Sequence, residues 1–248
     1  QDQFSFVGDA LKNDAFKVEK VNLATVEKFP EDCDALVIAG PKTDFTELET
    51  GRLRDYIKKG GRVCFLFEPT RDLPLLKGLV KEEGVQVNND LIIDKISRQL
   101  GGDYLMPIAL PTGEHQIIKG FRMMVQFPLA CSLTILPKSP EGAKWETLMI
   151  TGKDAWGETD KIKSGMSISY NVGKDNEGPL SIACAGTITA GDPGKDSAES
   201  RLVVVGSVDF ATNKYFYFQG NGNFFLNCIS WMTQQENLIS IRPKQGKF

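Results

Sequence analysis

Apolar and polar positions in the first hundred residues switch between two periods. Ala35-Leu36-Val37-Ile38-Ala39 is an unbroken apolar run closed by Gly40-Pro41, the pattern required of a strand covered on both faces. Residues 18–23 read as an earlier strand. Thr43 and Asp44 supply candidate helix N-caps, with Glu47 three residues after Asp44. Leu48, Leu53, Tyr56 and Ile57 then give a partly apolar helical face, Lys58-Lys59 put positive charge in its last turn, and Gly60-Gly61 stop it. Residues 62–67 form the next buried strand, closed by Glu68-Pro69, and 73–83 the next helix, ended by Gly84. This β-α-β-α order predicts an α/β fold, mainly a parallel sheet flanked by helices.

The pattern changes after residue 90. Short strand-like runs at 91–93, 104–110, 129–136, 147–151 and 180–188 are separated by turn-rich stretches such as Pro137-Lys138-Ser139-Pro140-Glu141-Gly142. A short helical turn fits residues 116–121. This middle region is either a separate β-rich lobe or an insertion that extends the sheet. A polar loop, 191–200, has the composition of a mobile segment. Leu202-Val203-Val204-Val205-Gly206 restores the buried-strand pattern. Two helical stretches follow, the second at 223–234, then a short strand at 239–241 and a polar end at 242–248. The domain reading is therefore an α/β first part (1–90), a β-rich insertion or sheet extension (91–200), and an α/β part completing the domain (201–248).

Composition narrows the function classes. The 248 residues are 41% apolar and 25% charged, with net charge −3, and a chain of this size buries enough surface to hold a core without disulfides or metals. No basic run marks a nucleic-acid partner. No stretch of about 18 apolar residues predicts a membrane span. The five cysteines form no C-x-x-C pair and sit among apolar neighbours, as small buried hydrophobes do.

Catalytic sets are incomplete in the sequence. An amidotransferase-type thiol needs a strand-to-helix elbow and a histidine to activate it. Cys64 instead lies within a strand pattern, and the single histidine, His115, falls in a turn-like stretch. Gly206-Ser207-Val208-Asp209 lacks the second glycine of a serine elbow, one histidine is too few for the usual catalytic zinc, and the glycines fit neither nucleotide fingerprint. The expectation is no enzyme, no cofactor and no metal.

Binding is expected beyond the carboxyl ends of the strands. Lys42, Glu68, Arg71 and Asp209 occupy those ends, and Asn213 and Asn221 follow on turn or helix starts. The alternative role for Asp209 and the asparagines is capping and loop-tying. Trp156, Glu158 and Asp160 could form a sugar- or partner-facing patch, or a packed loop anchor. Trp231, with Phe224, Phe225 and Cys228 at helical spacing, reads as core.

Asp34-Ala35-Leu36-Val37-Ile38-Ala39-Gly40-Pro41 and Tyr56-Ile57-Lys58-Lys59-Gly60-Gly61-Arg62-Val63 together resemble the auxiliary component of uncharacterised ABC-type transport systems, the family of gliding-motility-associated ABC transporter proteins. The most specific likeness runs from Arg201-Leu202-Val203-Val204-Val205-Gly206 through Gly220-Asn221-Gly222-Asn223-Phe224-Phe225-Leu226-Asn227 and Trp231 to Leu238-Ile239-Ser240-Ile241-Arg242-Pro243-Lys244. Trp156, Glu158 and Asp160 are similar to a Trp-acid-acid stretch of that family. A Gly-His-Gly-Glu-like turn of its first strand has no counterpart here, so the resemblance implies a fragment beginning after that strand. It further implies a class I glutamine-amidotransferase-like fold without that group's catalysis. The implied setting is extracytoplasmic, on the periplasmic side, anchored to the inner membrane by segments outside this chain, beside an ABC permease and ATPase. The function expected is non-catalytic binding of a partner or cargo. The alternatives are a small-molecule binding domain, for example for carbohydrate, and a degenerate hydrolase of amidotransferase-like fold.

Overall fold

The computed structural model describes residues 3–26, 29–30, 32–100, 102–162, 168–190 and 198–241. Helix α1 (Ser5–Asn13) precedes strand β1 (Leu36–Ala39), helix α2 (Glu47–Lys58), strand β2 (Arg62–Leu66) and helix α3 (Pro74–Glu82). Next come β3 (Val85–Val87), β4 (Leu91–Ile93), the short helix α4 (Lys95–Gln99), β5 (Ile108–Pro111), β6 (Val125–Gln126) and β7 (Leu133–Ile135). The long strands β8 (Ala143–Thr151), β11 (Ser181–Ala190) and β12 (Ala198–Val205) enclose β9 (Trp156–Glu158) and β10 (Asn176–Glu177) in sequence. Helices α5 (Asn221–Met232) and α6 (Asn237–Ile241) close the described chain.

Among the described residues nine strands form one sheet in the order β1-β2-β12-β11-β8-β5-β6, with β7 pairing both β11 and β3. Among the described residues only β1–β2 and β2–β12 pair in parallel. The other pairings are antiparallel, including the eight-residue β11–β12 register from Ala183↔Val205 to Ala190↔Ala198. A separate antiparallel sheet has the order β10-β9-β4.

This corrects the expected fold class. The sheet is mixed and strongly curled, with a half-barrel, and helices account for about a quarter of the described residues, so a mainly parallel, amidotransferase-like sheet flanked by helices does not describe it. The physical reason lies in the pattern used. An apolar run reports burial on both faces, but not the direction of the neighbouring strand. The β-rich middle supplies β8 and β11, which continue the sheet from β12.

Alternation along the central strands divides two cores. Val63 and Phe65 of β2, with Leu202 and Val204 of β12, pack against Leu53 and Ile57 of α2 and Leu76, Leu79 and Val80 of α3. Cys64, Leu66, Val203 and Val205 face the other way, toward Val7 and Leu11 of α1 and Phe224, Phe225 and Cys228 of α5.

Several element ends differ from expectation. Thr46, not Asp44, caps α2: its hydroxyl accepts from Glu49 N–H while Thr46 N–H donates to Glu49, a reciprocal capping box. Asp44 instead accepts from Leu75 N–H at 2.7 Å and Leu76 N–H at 3.2 Å, capping α3 from another loop. Helix α2 ends as expected, with Gly60 at φ +88°. Residues 18–23 pair with no strand among the described residues; Leu23 is held by packing and by Arg52 Nη1 donating to its carbonyl at 2.5 Å. Residues 239–241 are helical, in α6. The stretch 191–197 of the polar loop and the closing 242–248 lie outside the described residues.

Candidate functional site

Because β1, β2 and β12 are parallel neighbours, their carboxyl ends share one edge. Lys42 stands exposed just beyond β1. Glu68 follows β2; its carboxylate accepts from Arg71 Nε at 2.5 Å and from Thr70 N–H at 3.2 Å, and it also receives the Thr70 hydroxyl. Asp209 opens a 3-10 turn, Asp209–Ala211, directly after β12. Burial pushes the Asp209 carboxyl upward, and the nearby Glu68 charge adds to this while Lys214 opposes it. The edge therefore sets two carboxylates within electrostatic reach of each other, with Arg71 on one and Lys214 near the other.

The two asparagines assigned to this region are engaged in tying the fold together. Asn213 accepts from Phe6 N–H at 3.0 Å and donates to the Ser5 hydroxyl at 2.8 Å, which fixes the start of α1. Fully buried Asn221 accepts from Gln126 N–H at 3.0 Å and donates to the carbonyls of Gln126 at 2.9 Å and Phe210 at 3.2 Å.

Trp156, Glu158 and Asp160 belong to the second sheet and its exit. Trp156 and Glu158 are buried, and the indole N–H donates to Glu158 at 3.4 Å. Glu158 also accepts from Asp160 N–H at 3.1 Å, while Asp160 pairs with Lys174. Lys95 Nζ lies 5.0 Å from the centre of the Trp156 ring, at a groove of about 520 Å³ that Lys153, Tyr170 and Glu177 also line.

The thiol and imidazole weighed for catalysis sit in unreactive surroundings. Cys64 is buried, and burial pushes its thiol up to about 12, which disfavours the nucleophilic thiolate. His115 Nδ1 accepts from Ile117 N–H at 3.2 Å, and its ring packs edge-on against Trp231 at 4.7 Å. Burial holds the His115 imidazole below its ordinary value, helped by Arg201 and opposed by Glu146. Among the described residues no cluster of three or more His, Cys, Asp or Glu is placed to hold a metal ion, and no helix is long and apolar enough to cross a membrane.

One surface escaped the sequence reading. Phe6, Tyr217 and Phe218 are exposed, with Phe6 and Tyr217 rings 5.1 Å apart, and Phe6 N–H is held by Asn213 in the segment that follows the Asp209 turn. Met124, also exposed, accepts at its carbonyl from Gly220 N–H at 3.0 Å, two residues after Phe218. The signal was available in the aromatic run Tyr215-Phe216-Tyr217-Phe218, of which only Phe216 is buried.

The family described as ABC-type uncharacterized transport system matches residues 1–228 of the chain. A search of curated proteins found no match. Among solved structures, the mmIFT52 N-terminal domain is similar at 14% identity with a TM-score of 0.65, over 94% of this chain and 91% of that one. A putative ThuA-like protein from Bacteroides uniformis ATCC 8492 is similar at 13% identity with a TM-score of 0.51, over 92% of this chain and 81% of that one. At these identities the likeness concerns the fold alone.

Proposed function

We propose that this chain, which belongs to the family of ABC-type uncharacterized transport systems, is a non-catalytic docking module of such a system. It holds a partner or cargo through the carboxyl edge of its parallel strands. The family match over residues 1–228 carries this reading. Two features of the edge support it. Exposed aromatic side chains clustered beside charged groups are the composition of interface hot spots, since rings bury large area at small entropic cost. Phe6, Tyr217 and Phe218 are exposed, the Phe6 and Tyr217 rings are in contact, and the segment that carries Tyr217 and Phe218 follows Asp209 and Lys214 in the chain. The proposed setting is extracytoplasmic and anchored to the inner membrane, and the proposed partners are the permease and ATPase subunits, in a role akin to the gliding-motility-associated proteins. The edge would meet the partner that must sense or present cargo.

A photo-cross-linking residue placed at Tyr217 of the full-length protein is expected to capture permease or ATPase subunits, whereas one at exposed Leu48 on α2 is not. The pair of substitutions Tyr217→Ala and Phe218→Ala should weaken co-purification about tenfold or more. Recovery of soluble enzymes alone, or of the same partners from both positions, would count against the reading. A second reading, a small-molecule site for a ligand such as a carbohydrate, draws on the Glu68–Asp209 carboxylate pair and Arg71. It expects a thermal shift with some member of a sugar panel that Asp209→Asn abolishes.

A further inference from the structure

The amino edge of the same strands carries a different construction. A groove of about 540 Å³, within the size range of small-ligand sites, lies where the chain enters β1 and β2, against the last two turns of α2. Its apolar wall contains Phe29 and Tyr56, whose rings lie 4.4 Å apart. Burial, reinforced by Cys33, pushes the Tyr56 phenol upward, so it stays protonated and donates to Cys33 O at 3.3 Å.

Among the described residues that line the groove, Arg52, Lys59 and Arg62 are cationic and Asp34 and Asp55 are carboxylates. Both carboxylates are exposed, whereas Arg52 and Arg62 are half-buried. Water and salt screen the exposed acids more than the guanidinium groups, so among these described groups the guanidinium charges act more strongly on an occupant of the groove. Among the described residues Arg62 and Lys59 form no ion pair with Asp34 or Asp55. Helix α2 ends here, and its carbonyl end would oppose an anion. That effect is blunted: the carbonyls of Tyr56 and Ile57 accept from Gly61 and Gly60 N–H at 2.9 Å, the Ile57 carbonyl also accepts from Ser200, and Lys58 and Lys59 lie in that turn.

We infer that this groove binds a small ligand with an oxyanion head, a carboxylate or a phosphate, carried on an aromatic or apolar body. Arg62 and Lys59 take the head, and Phe29 and Tyr56 pack the body. A guanidinium suits a planar or tetrahedral oxyanion, and the ring pair supplies the apolar face that such pockets combine with a few polar groups. The site lies at the opposite end of the strands from Glu68 and Asp209, so its failure and that of the docking reading are independent.

Cys33 gives the test a reporter inside the groove, because it is half-buried while the other four cysteines are buried. Its modification by 5,5′-dithiobis(2-nitrobenzoate), an aromatic carboxylate, is compared with that by neutral 2,2′-dithiodipyridine. The expected result is a rate ratio favouring the carboxylate reagent that falls about tenfold in Arg62→Gln, the loss of one charge-assisted contact. Lys59→Gln, at an exposed helix end, should lower the ratio too and serves if the first variant fails to fold. Benzoate or phenyl phosphate should protect Cys33, the better protector naming the head group, and benzylamine should not. An unchanged ratio in a folded variant, or protection by benzylamine equal to that by the anions, would overturn the assignment.

Discussion

Asp209 sits in surroundings at odds with its charge. Burial first, and the Glu68 charge second, raise its carboxyl above the ordinary range, with Lys214 opposing. In the unfolded chain it loses its proton near the usual Asp value of about 3.9. Between that value and the raised folded one the native state binds more protons, so stability falls as pH rises through the window, and the full penalty remains above it. Asp209→Asn removes this penalty. Melting temperatures measured from neutral pH down to about pH 4 should show the variant more stable than the parent at neutrality, with the gap closing on acidification; a less stable variant at neutral pH would contradict the electrostatics. The position of Asp209 was legible in the sequence, because a buried strand ending in Gly206-Ser207 must deliver the next residues to the sheet edge. The loop-tying role of Asn213 and Asn221 was weighed from the sequence, but their partners were not legible there. Asn213 binds residues more than 200 positions away and Asn221 a backbone 95 away, and local spacing carries no trace of either.

At the scale of elements, ends proved harder to read than interiors. The interior of α2 followed from its apolar spacing, but its start was read at Thr43 or Asp44, with Glu47 after Asp44, whereas the chain caps it with Thr46 and Glu49. That leaves Asp44 free for α3, whose own first residues are Leu73 and Pro74 and supply no side-chain cap. Without the Asp44 carboxylate, the N–H groups of Leu75 and Leu76 lose their acceptor at a helix that buries Leu76, Leu79 and Val80. Asp44→Ala should therefore cost about 1–2 kcal/mol, read from urea unfolding as a lower midpoint at an unchanged slope. Thr46→Ala, which breaks the box at an exposed helix start, should cost about 1 kcal/mol. Equal stability of Asp44→Ala and the parent would mean that water replaces the cap. Residues 18–23 and 239–241 went the other way, short apolar stretches read as strands that form none, because so few residues cannot distinguish a strand from packed coil or a helical turn.

The whole molecule depends on how β12 leaves the sheet. Burial and the β1-α2-β2 unit were written in local pattern, whereas the mixed sheet arises from antiparallel pairing of β11 with β8 and β12, contacts that no local period encodes. The exit from β12 joins these levels at Gly206. Its N–H donates to Ile182 O and its carbonyl accepts from Cys131 N–H, both at 2.8 Å, while the Ser207 hydroxyl donates to Pro128 O at 2.6 Å. A Cβ here would lie 2.0 Å from the Cys131 carbonyl oxygen. The obstruction is backbone clamped by those same bonds, so relief requires moving β11, β12 or the 128–131 segment. Gly206→Ala should destabilise the protein by roughly 3 kcal/mol or more, at the upper end for overpacking. Gly51→Ala, in α2 with open space around it, should instead stabilise by about 0.5–1 kcal/mol. Because Asp209 and the aromatic surface hang from the same exit, Gly206→Ala should also cut cross-linking from Tyr217 under conditions where the chain remains folded. Loss of stability with cross-linking unchanged would show that the docking surface is held by α1 and α5 rather than by the sheet.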